Sequence, residues 1–359
     1  MPDPLPREMA LSTPLIVALD KASRAVATLA GVGETIPNPT ILVRPFMRRE
    51  AVLSSSIEGT YASLSDLFLY EASDETRPRG DVREVANYVR ALERGLDLLN
   101  RLPISLRLIN QVHERLLRGV RDEDKRPGEL RTEQVHIGVP GTPIEEARYV
   151  PPPADVVRDL LLDWERFANE DTLLPPLIAC AMVHYQFEAI HPYLDGNGRV
   201  GRLLIILFLC AKGVLPAPLL YLSAYFERHR EEYYDHLFAV SATGDWKGWL
   251  SFFFAGVEQQ SRDAIARIKQ MRSVHERYMT IAREHHLSGS ATRLLEELVA
   301  GPFMTAPRAS ALLNISNPGA HAVLDKLAAA GILEPVPNSW PRLYVAREVL
   351  HALEASSAL

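Results

Sequence analysis

Cysteine is nearly missing, with only Cys180 and Cys210 in 359 residues, each inside an apolar helical run and neither in a CxxC pair. A disulfide framework and a cysteine zinc site are thereby excluded, and both thiols read as core residues. Long apolar runs are missing too. The most apolar stretch, Leu203 to Ala211, is about half of the roughly twenty residues that a membrane-crossing helix requires. The N-terminal MPDPLPREMALSTPL carries prolines and acidic residues where an export signal needs a basic start and an unbroken apolar stretch, so cytoplasmic residence is expected. Positive charge is not in surplus. A formal net charge of -6 offers no overall attraction to phosphate polymers or anionic membranes, and nucleic acid is not an expected partner. Internal repeats and low-complexity tracts are absent as well.

What is present is helical periodicity. Apolar residues recur at three and four positions far more often than at two, which predicts a mainly α chain, and the length suggests about two or three domains. Seams are expected to give an N-terminal helical region over 1–95, a core over 96–260, a connecting helix over 261–287 and a small unit over 288–359. A helix-forming run from Pro45 to Tyr70 is expected to be interrupted at Ser54-Ser55-Ser56 and Gly59, with a polar loop from Ser73 to Asp81. Helices are predicted over Val82–Leu99, Leu106–Leu117, Ala154–Phe167, Pro176–Ile190, Arg228–Val240 and Trp246–His286. Between Arg126 and Pro153, glycines and prolines flank short β-prone pieces such as Gln134-Val135-His136-Ile137, which read as a hairpin-like excursion.

The chemistry concentrates in His191-Pro192-Tyr193-Leu194-Asp195-Gly196-Asn197-Gly198-Arg199-Val200-Gly201-Arg202. Gly196 and Gly198 let backbone N–H groups approach an anion, and the helix that restarts at Asn197 or Gly198 aims its positive end at the same place. Arg199 and Arg202, three apart, share a helix face and offer two planar forks for phosphoryl oxygens. Asp195 is a hard oxygen ligand suited to Mg²⁺ carried in with a nucleotide. His191, where Pro192 stops the preceding helix, is the natural general base for an attacking hydroxyl. His113, His136, His184 and the His285-His286 pair lack such company and read as packing residues, so no second metal site is expected.

The segment HPYLDGNGRVGR resembles the signature loop of the Fic family, with Tyr193 where phenylalanine is usual. The resemblance implies a multi-helical Fic core that transfers AMP from ATP to a Ser, Thr or Tyr hydroxyl of a target protein or of the chain itself. It implies His191 as base, Asp195 on Mg²⁺, and Gly196, Asn197, Gly198, Arg199 and Arg202 on the phosphates. In the related Doc kinases a lysine stands at the position of Gly198, so glycine here points to AMP transfer rather than phosphorylation. RPGELRTEQVHIG and ARYVPPP are similar to the family's β-hairpin flap, with Ile137, Val139 and Ile144 expected to clamp the target segment. YLSAYFERHREEYYDHL resembles the adenine-side stretch, implying Tyr233, Tyr234 and His229 at the base, although asparagine is common at the position of His229. Finally, Ser54-Ser55-Ser56-Ile57-Glu58-Gly59 resembles the family's inhibitory motif in the subgroup whose inhibitory helix precedes the core. That implies Ser54, Glu58 and Gly59 as a brake, with Glu58 aimed at Arg202.

The last unit reads as a winged helix-turn-helix, its turn at Asn314 to Gly319 and second helix from His321 to Ala329. From Ser288 onward the basic residues Arg293, Arg308, Lys326, Arg342 and Arg347 are outnumbered by Glu296, Glu297, Asp325, Glu334, Glu348 and Glu354. Duplex DNA is disfavoured on that balance. Ala320, Ala328, Ala329 and Ala330 instead suggest a protein-facing surface, for dimerisation into a homodimer or for presenting a target. Two other functions stay open at this level: removal of AMP at the same site, and a nucleotide-sensing transcription regulator.

Overall fold

The computed structural model describes residues 1–35, 39–72, 80–120, 125–138, 141, 143–337 and 339–354. The chain is mainly α-helical, and two helices form its centre. These are α7 (Pro176–Ile190) and α8 (Asn197–Ala211), which pack on each other. Their sequences, PLIACAMVHYQFEAI and NGRVGRLLIILFLCA, are apolar on nearly every face, so both are enclosed rather than laid on a surface. Cys180 is buried there and Cys210 half-buried, both free.

The helices ahead of this pair are α1 (Thr13–Glu34), α2 (Pro39–Ile57), α3 (Leu64–Ala72), α4 (Gly80–Leu99) and α5 (Leu106–Leu117). Those after α5 are α6 (Val157–Asn169), α7, α8, α9 (Ser223–Arg228), α10 (Arg230–Thr243) and the 39-residue α11 (Trp246–Glu284). The amphipathic α4 and α5 pair with each other and cover one side of α8, while α1 lies along α11. Three expectations shift here. Ser54-Ser55-Ser56 do not interrupt the chain, because α2 runs through them to Ile57 and stops only before Gly59, whose φ of 81° suits a residue without a side chain. The seams drawn at 95/96 and 260/261 fall inside α4 and α11. The excursion between 126 and 153 contains, among the described residues, one antiparallel bridge, Ile137 to Tyr149, instead of a regular hairpin.

The C-terminal unit contains α12 (Gly289–Ala300), β1 (Phe303–Thr305), α13 (Ala306–Leu313), α14 (Asn317–Ala329), β2 (Glu334–Pro335), β3 (Leu343–Val345) and α15 (Arg347–Glu354). The antiparallel sheet has the order β1-β3-β2. The Ser288-Gly289-Ser290 segment is no free linker, since Ser288 Oγ caps α12 by accepting from Ala291 N at 3.4 Å. Ala320 is buried in the unit's own core beside Leu324 and Leu327, so the expected alanine face does not all point outward. The unit packs on α2, α3 and α11, with Arg267 donating to the carbonyls of Ala352 and Leu353 at 3.3 and 2.9 Å. No helix among the described residues is long and apolar enough to cross a membrane.

Candidate functional site

The break between α7 and α8 is held by a set of local bonds. Pro192 ends α7, and His191 takes a left-handed conformation (φ 50°, ψ 63°). Gly196 (φ 77°) is the N-cap of α8. Between them Asn197 closes the loop on itself, its Oδ1 accepting from Tyr193 N at 2.8 Å and its Nδ2 donating to Tyr193 O at 2.9 Å. The Asn197 side chain therefore shapes the loop and does not line the cleft. The Tyr193 ring stacks on His113 at 3.7 Å, and its hydroxyl, the group that phenylalanine would lack, donates to Asn110 Oδ1 at 2.7 Å.

His113 is more than packing. Gly128 N donates to its Nδ1 at 2.8 Å, which leaves the proton on Nε2 to reach Asp195 O at 2.9 Å. Burial pushes its pKa down to about 4, in keeping with a neutral ring that has one donor and one acceptor. His184 behaves alike, donating from Nδ1 to Gly201 O and accepting at Nε2 from the Tyr233 hydroxyl, both at 2.9 Å. It thereby fixes the cleft-lining Tyr233.

A cleft of about 630 Å³ opens at this junction. It gathers His191, Gly198, Arg202, Glu58, Tyr233 and Tyr234, together with Ile137, Gly138, Arg148 and Tyr149 from the flap segment. His191 is half-buried, and its Nδ1 is buried and makes no hydrogen bond among the described residues. Burial pushes its pKa down to about 4, against the opposing pull of Glu58, so the imidazole is neutral near pH 7.

Arg202 is held by α2 and the turn that follows it. Its Nε donates to Ser54 Oγ at 2.8 Å, and its Nη2 to Ser54 O at 2.9 Å and Glu58 Oε1 at 2.7 Å. Burial alone would weaken its charge, but the Glu58 carboxylate outweighs that and keeps it protonated. Glu58 also lies over the first turn of α8, where a Cβ at Gly198 would clash with its Oε1. An anion thus already occupies the positive end of the helix.

Other expected site residues lie apart. Arg199 is buried but directed away from Arg202, with Nη2 2.9 Å from Asp195 Oδ2 and Nη1 3.4 Å from Glu84 Oε2. Glu84 on α4 supplies the charge that draws it there. His229 sits at the α9–α10 junction against the Tyr225 ring and 3.5 Å from Glu232, outside the cleft lining. Ile144 is exposed in a 3₁₀ turn, and Val139 lies outside the described residues. Asp195, partly exposed at the start of the cradle, is the hard oxygen donor the site offers for a metal ion.

Sequence reasoning missed Glu188, three residues before His191 in an otherwise apolar stretch. It lines the cleft with Oε1 buried and unpartnered. Burial raises its pKa to about 8, with Glu58 adding to the rise and Arg202 opposing it. It also overlooked Arg148, which reaches from the flap to Glu231 and Asp235 on α10 at 3.2 and 2.7 Å.

A model of the N-terminal region of the Fic/DOC family matches residues 16–97, and one of the Fic/DOC family itself matches residues 103–209. The chain belongs to the Fic/DOC family. Protein adenylyltransferase fic-1 of Caenorhabditis elegans is 29% identical over 257 residues, 68% of this chain and 47% of that protein. Protein adenylyltransferase Fic of Aedes aegypti is 32% identical over 151 residues, 42% of this chain and 27% of that protein. The chain therefore spans about half or less of the length of these curated relatives. Among solved structures, a Fic family protein from Desulfovibrio desulfuricans G20 aligns with a TM-score of 0.60 over 94% of this chain and 97% of that one, at 21% identity. At that identity it supports the fold alone. A Fic-1 fragment from C. elegans aligns with a TM-score of 0.55 at 26% identity, covering 72% of this chain and 75% of the fragment.

The raised Glu188 pKa has a direct consequence for stability. Below the ordinary carboxylate value of 4.5 the acid is protonated whether the chain is folded or not. As pH climbs toward about 8, the unfolded chain sheds that proton first and the fold loses stability. Glu188→Gln removes this dependence. The melting temperature of the variant relative to the parent is expected to rise between pH 4.5 and 8 and level off beyond. A difference that stays flat across that window in thermal unfolding would contradict the assignment.

Proposed function

We propose that this chain is a protein adenylyltransferase that transfers AMP from Mg-ATP to a hydroxyl of a protein, and that Glu58 restrains it. One observation carries the reading: the Glu58 carboxylate, bonded to Arg202 and overlying Gly198, fills an anion site a few residues from a neutral His191 that faces the same cleft. A site that already accepts a carboxylate at a helix N-terminus has the chemistry to accept a phosphate. The curated relatives named as protein adenylyltransferases support the same activity.

In this mechanism the acceptor hydroxyl gives its proton to His191 as its oxygen attacks the α-phosphorus. The bond to the bridging oxygen breaks, AMP stays on the acceptor, and pyrophosphate leaves. A base with a pKa near 4 is ready to accept at neutral pH, although it holds the proton weakly. Backbone N–H groups at the start of α8 and the Arg202 guanidinium cradle the phosphates, and Tyr233 and Tyr234 offer aromatic faces to the base. Asp195 would hold Mg²⁺, which when bound neutralises phosphate charge. The donor set fits such an ion, because Mg²⁺ commonly takes one or two protein carboxylates and completes its shell with water and phosphate oxygens. The flap segment around Ile137 and Gly138 is the edge against which a target strand would add.

Restraint follows from charge. While Glu58 holds Arg202, a γ-phosphate must either displace a carboxylate or bend away, which misaligns the leaving pyrophosphate with the attacking oxygen.

Three measurements test this reading. Incubated with labelled ATP and Mg²⁺, Glu58→Gly is expected to incorporate label at least about tenfold faster than the parent, equivalent to roughly 1.4 kcal/mol. Glu58→Gln serves as a companion that preserves side-chain volume. Folded variants that both match the parent would remove Glu58 as the brake. In the Glu58→Gly background, His191→Ala should lower transfer by ~10² to 10⁴ while Mg-ATP still binds; transfer within a few-fold would refute the general base. Asp195→Ala should abolish the Mg²⁺ dependence of ATP binding in calorimetry, and an unchanged dependence would locate the ion elsewhere.

A further inference from the structure

Beside Arg199 and Arg202 a third buried guanidinium lies against the catalytic loop, and its partners are of a different kind. Arg131, in the segment RPGELR, is 2% exposed, and among the described residues no carboxylate pairs with it. All its bonds run to carbonyl oxygens. Nε donates to His191 O at 2.9 Å and Nη2 to Ile190 O at 3.4 Å, while its backbone N donates to Pro192 O at 2.9 Å. On the other side, Nη1 donates to Glu133 O at 3.0 Å and Nη2 to Pro152 O at 2.5 Å, at the two ends of the flap excursion.

Three consecutive carbonyls, 190 to 192, lie where α7 ends and Pro192 forbids its continuation. The last carbonyls of a helix lack intrahelical partners and carry the negative end of its dipole, so a cation is favoured there. At the same place His191 adopts a left-handed backbone, which for a residue with a Cβ costs ~1 to 2 kcal/mol and persists only where the surroundings over-determine it. A planar fork fixed to its carbonyl and to the preceding one supplies that determination. Lysine, with a single ammonium, cannot span the same set.

We infer that Arg131 is a positioning residue that ties the flap to the catalytic loop and fixes the backbone from which the His191 imidazole projects. Target docking at the flap and placement of the base are thereby mechanically linked. The consequence for turnover rests on the functional reading above, whereas the consequence for the histidine does not.

The experiment therefore has two arms. In the Glu58→Gly background, folded Arg131→Lys is expected to lower kcat for AMP transfer at least tenfold while its Kd for Mg-ATP stays within about twofold. A kcat within twofold of the background, or an equal loss of nucleotide affinity, would overturn the proposal. The second arm needs no activity. Arg131 adds to the effect of burial in keeping the His191 pKa at about 4, so loss of the fork and its charge should raise it. In Arg131→Met, and to a smaller extent in Arg131→Lys, NMR titration of the labelled His191 ring should show a midpoint moved up toward the ordinary imidazole value. An unchanged midpoint in both overturns the proposal. If Glu58→Gly itself transfers no label but the midpoint moves, the functional reading fails and the positioning role stands.

Discussion

A guanidinium cannot shed its charge, so burying one at the start of a helix forces the surroundings to supply a counter-charge. Arg202 is that residue, and the site is organised around its need. The N-terminus of α8 already presents positive backbone dipoles, and adding Arg202 makes the spot strongly attractive to an anion. In the present structure the need is met from within the chain. Ser54 contributes a hydroxyl and a carbonyl, and Glu58, one helical turn on, contributes the charge. The spacing of four residues brings both groups to one face of α2 and the turn that follows it.

The same requirement explains why α2 is anchored so firmly. Glu50, one turn before Ser54 and two before Glu58, is buried and accepts from Ser223 Oγ and N, joining α2 to the start of α9. Burial raises its pKa, while the bonds from Ser223 and Tyr88 act in the other direction. A helix that must place its carboxylate within hydrogen-bonding reach of Arg202 gains from such an anchor, because a poorly placed partner leaves the buried guanidinium uncompensated. α12 and α15 of the C-terminal unit pack on α2 as well. In the proposed reading, the restraint on nucleotide geometry is as stiff as this whole assembly.

Much of the arrangement could be read from sequence because it is local. His191 and Arg202 share one twelve-residue segment, and the roles proposed for them follow from residue type and spacing. α5 and α7 have the predicted limits because proline, serine and turn residues mark their ends. The misreadings are tertiary. Nothing near Arg199 in sequence shows that Glu84, on another helix, draws its guanidinium away from Arg202. Asn197 looks like a ligand residue until its amide is seen bridging Tyr193 N and O. The serines of α2 carry weak helix propensity, yet Ser54 and Ser55 are buried and the helix runs through them, since packing outweighs a few tenths of a kcal/mol. Glu188 did leave a trace, as a carboxylate in an otherwise apolar stretch, but its elevated pKa arises from burial that sequence does not display.

Arg131 and Arg202 show two solutions to one physical problem. Both guanidiniums are buried near His191, and both cap otherwise unpaired oxygens. Arg131 is satisfied by neutral carbonyl dipoles that belong to the backbone, so no small anion can compete for it without breaking the loop. Arg202 is satisfied largely by one carboxylate on a flexible side chain, and that side chain is about one-third exposed. A carboxylate in that position can be exchanged for another anion at modest cost, because the guanidinium keeps its bonds to Ser54 while the charge is replaced. Permanence at one arginine and exchangeability at the other are what a regulated site needs. In the proposed reading the first keeps the base where a hydroxyl can meet it, and the second lets the occupant of the anion site decide whether the phosphates lie in line.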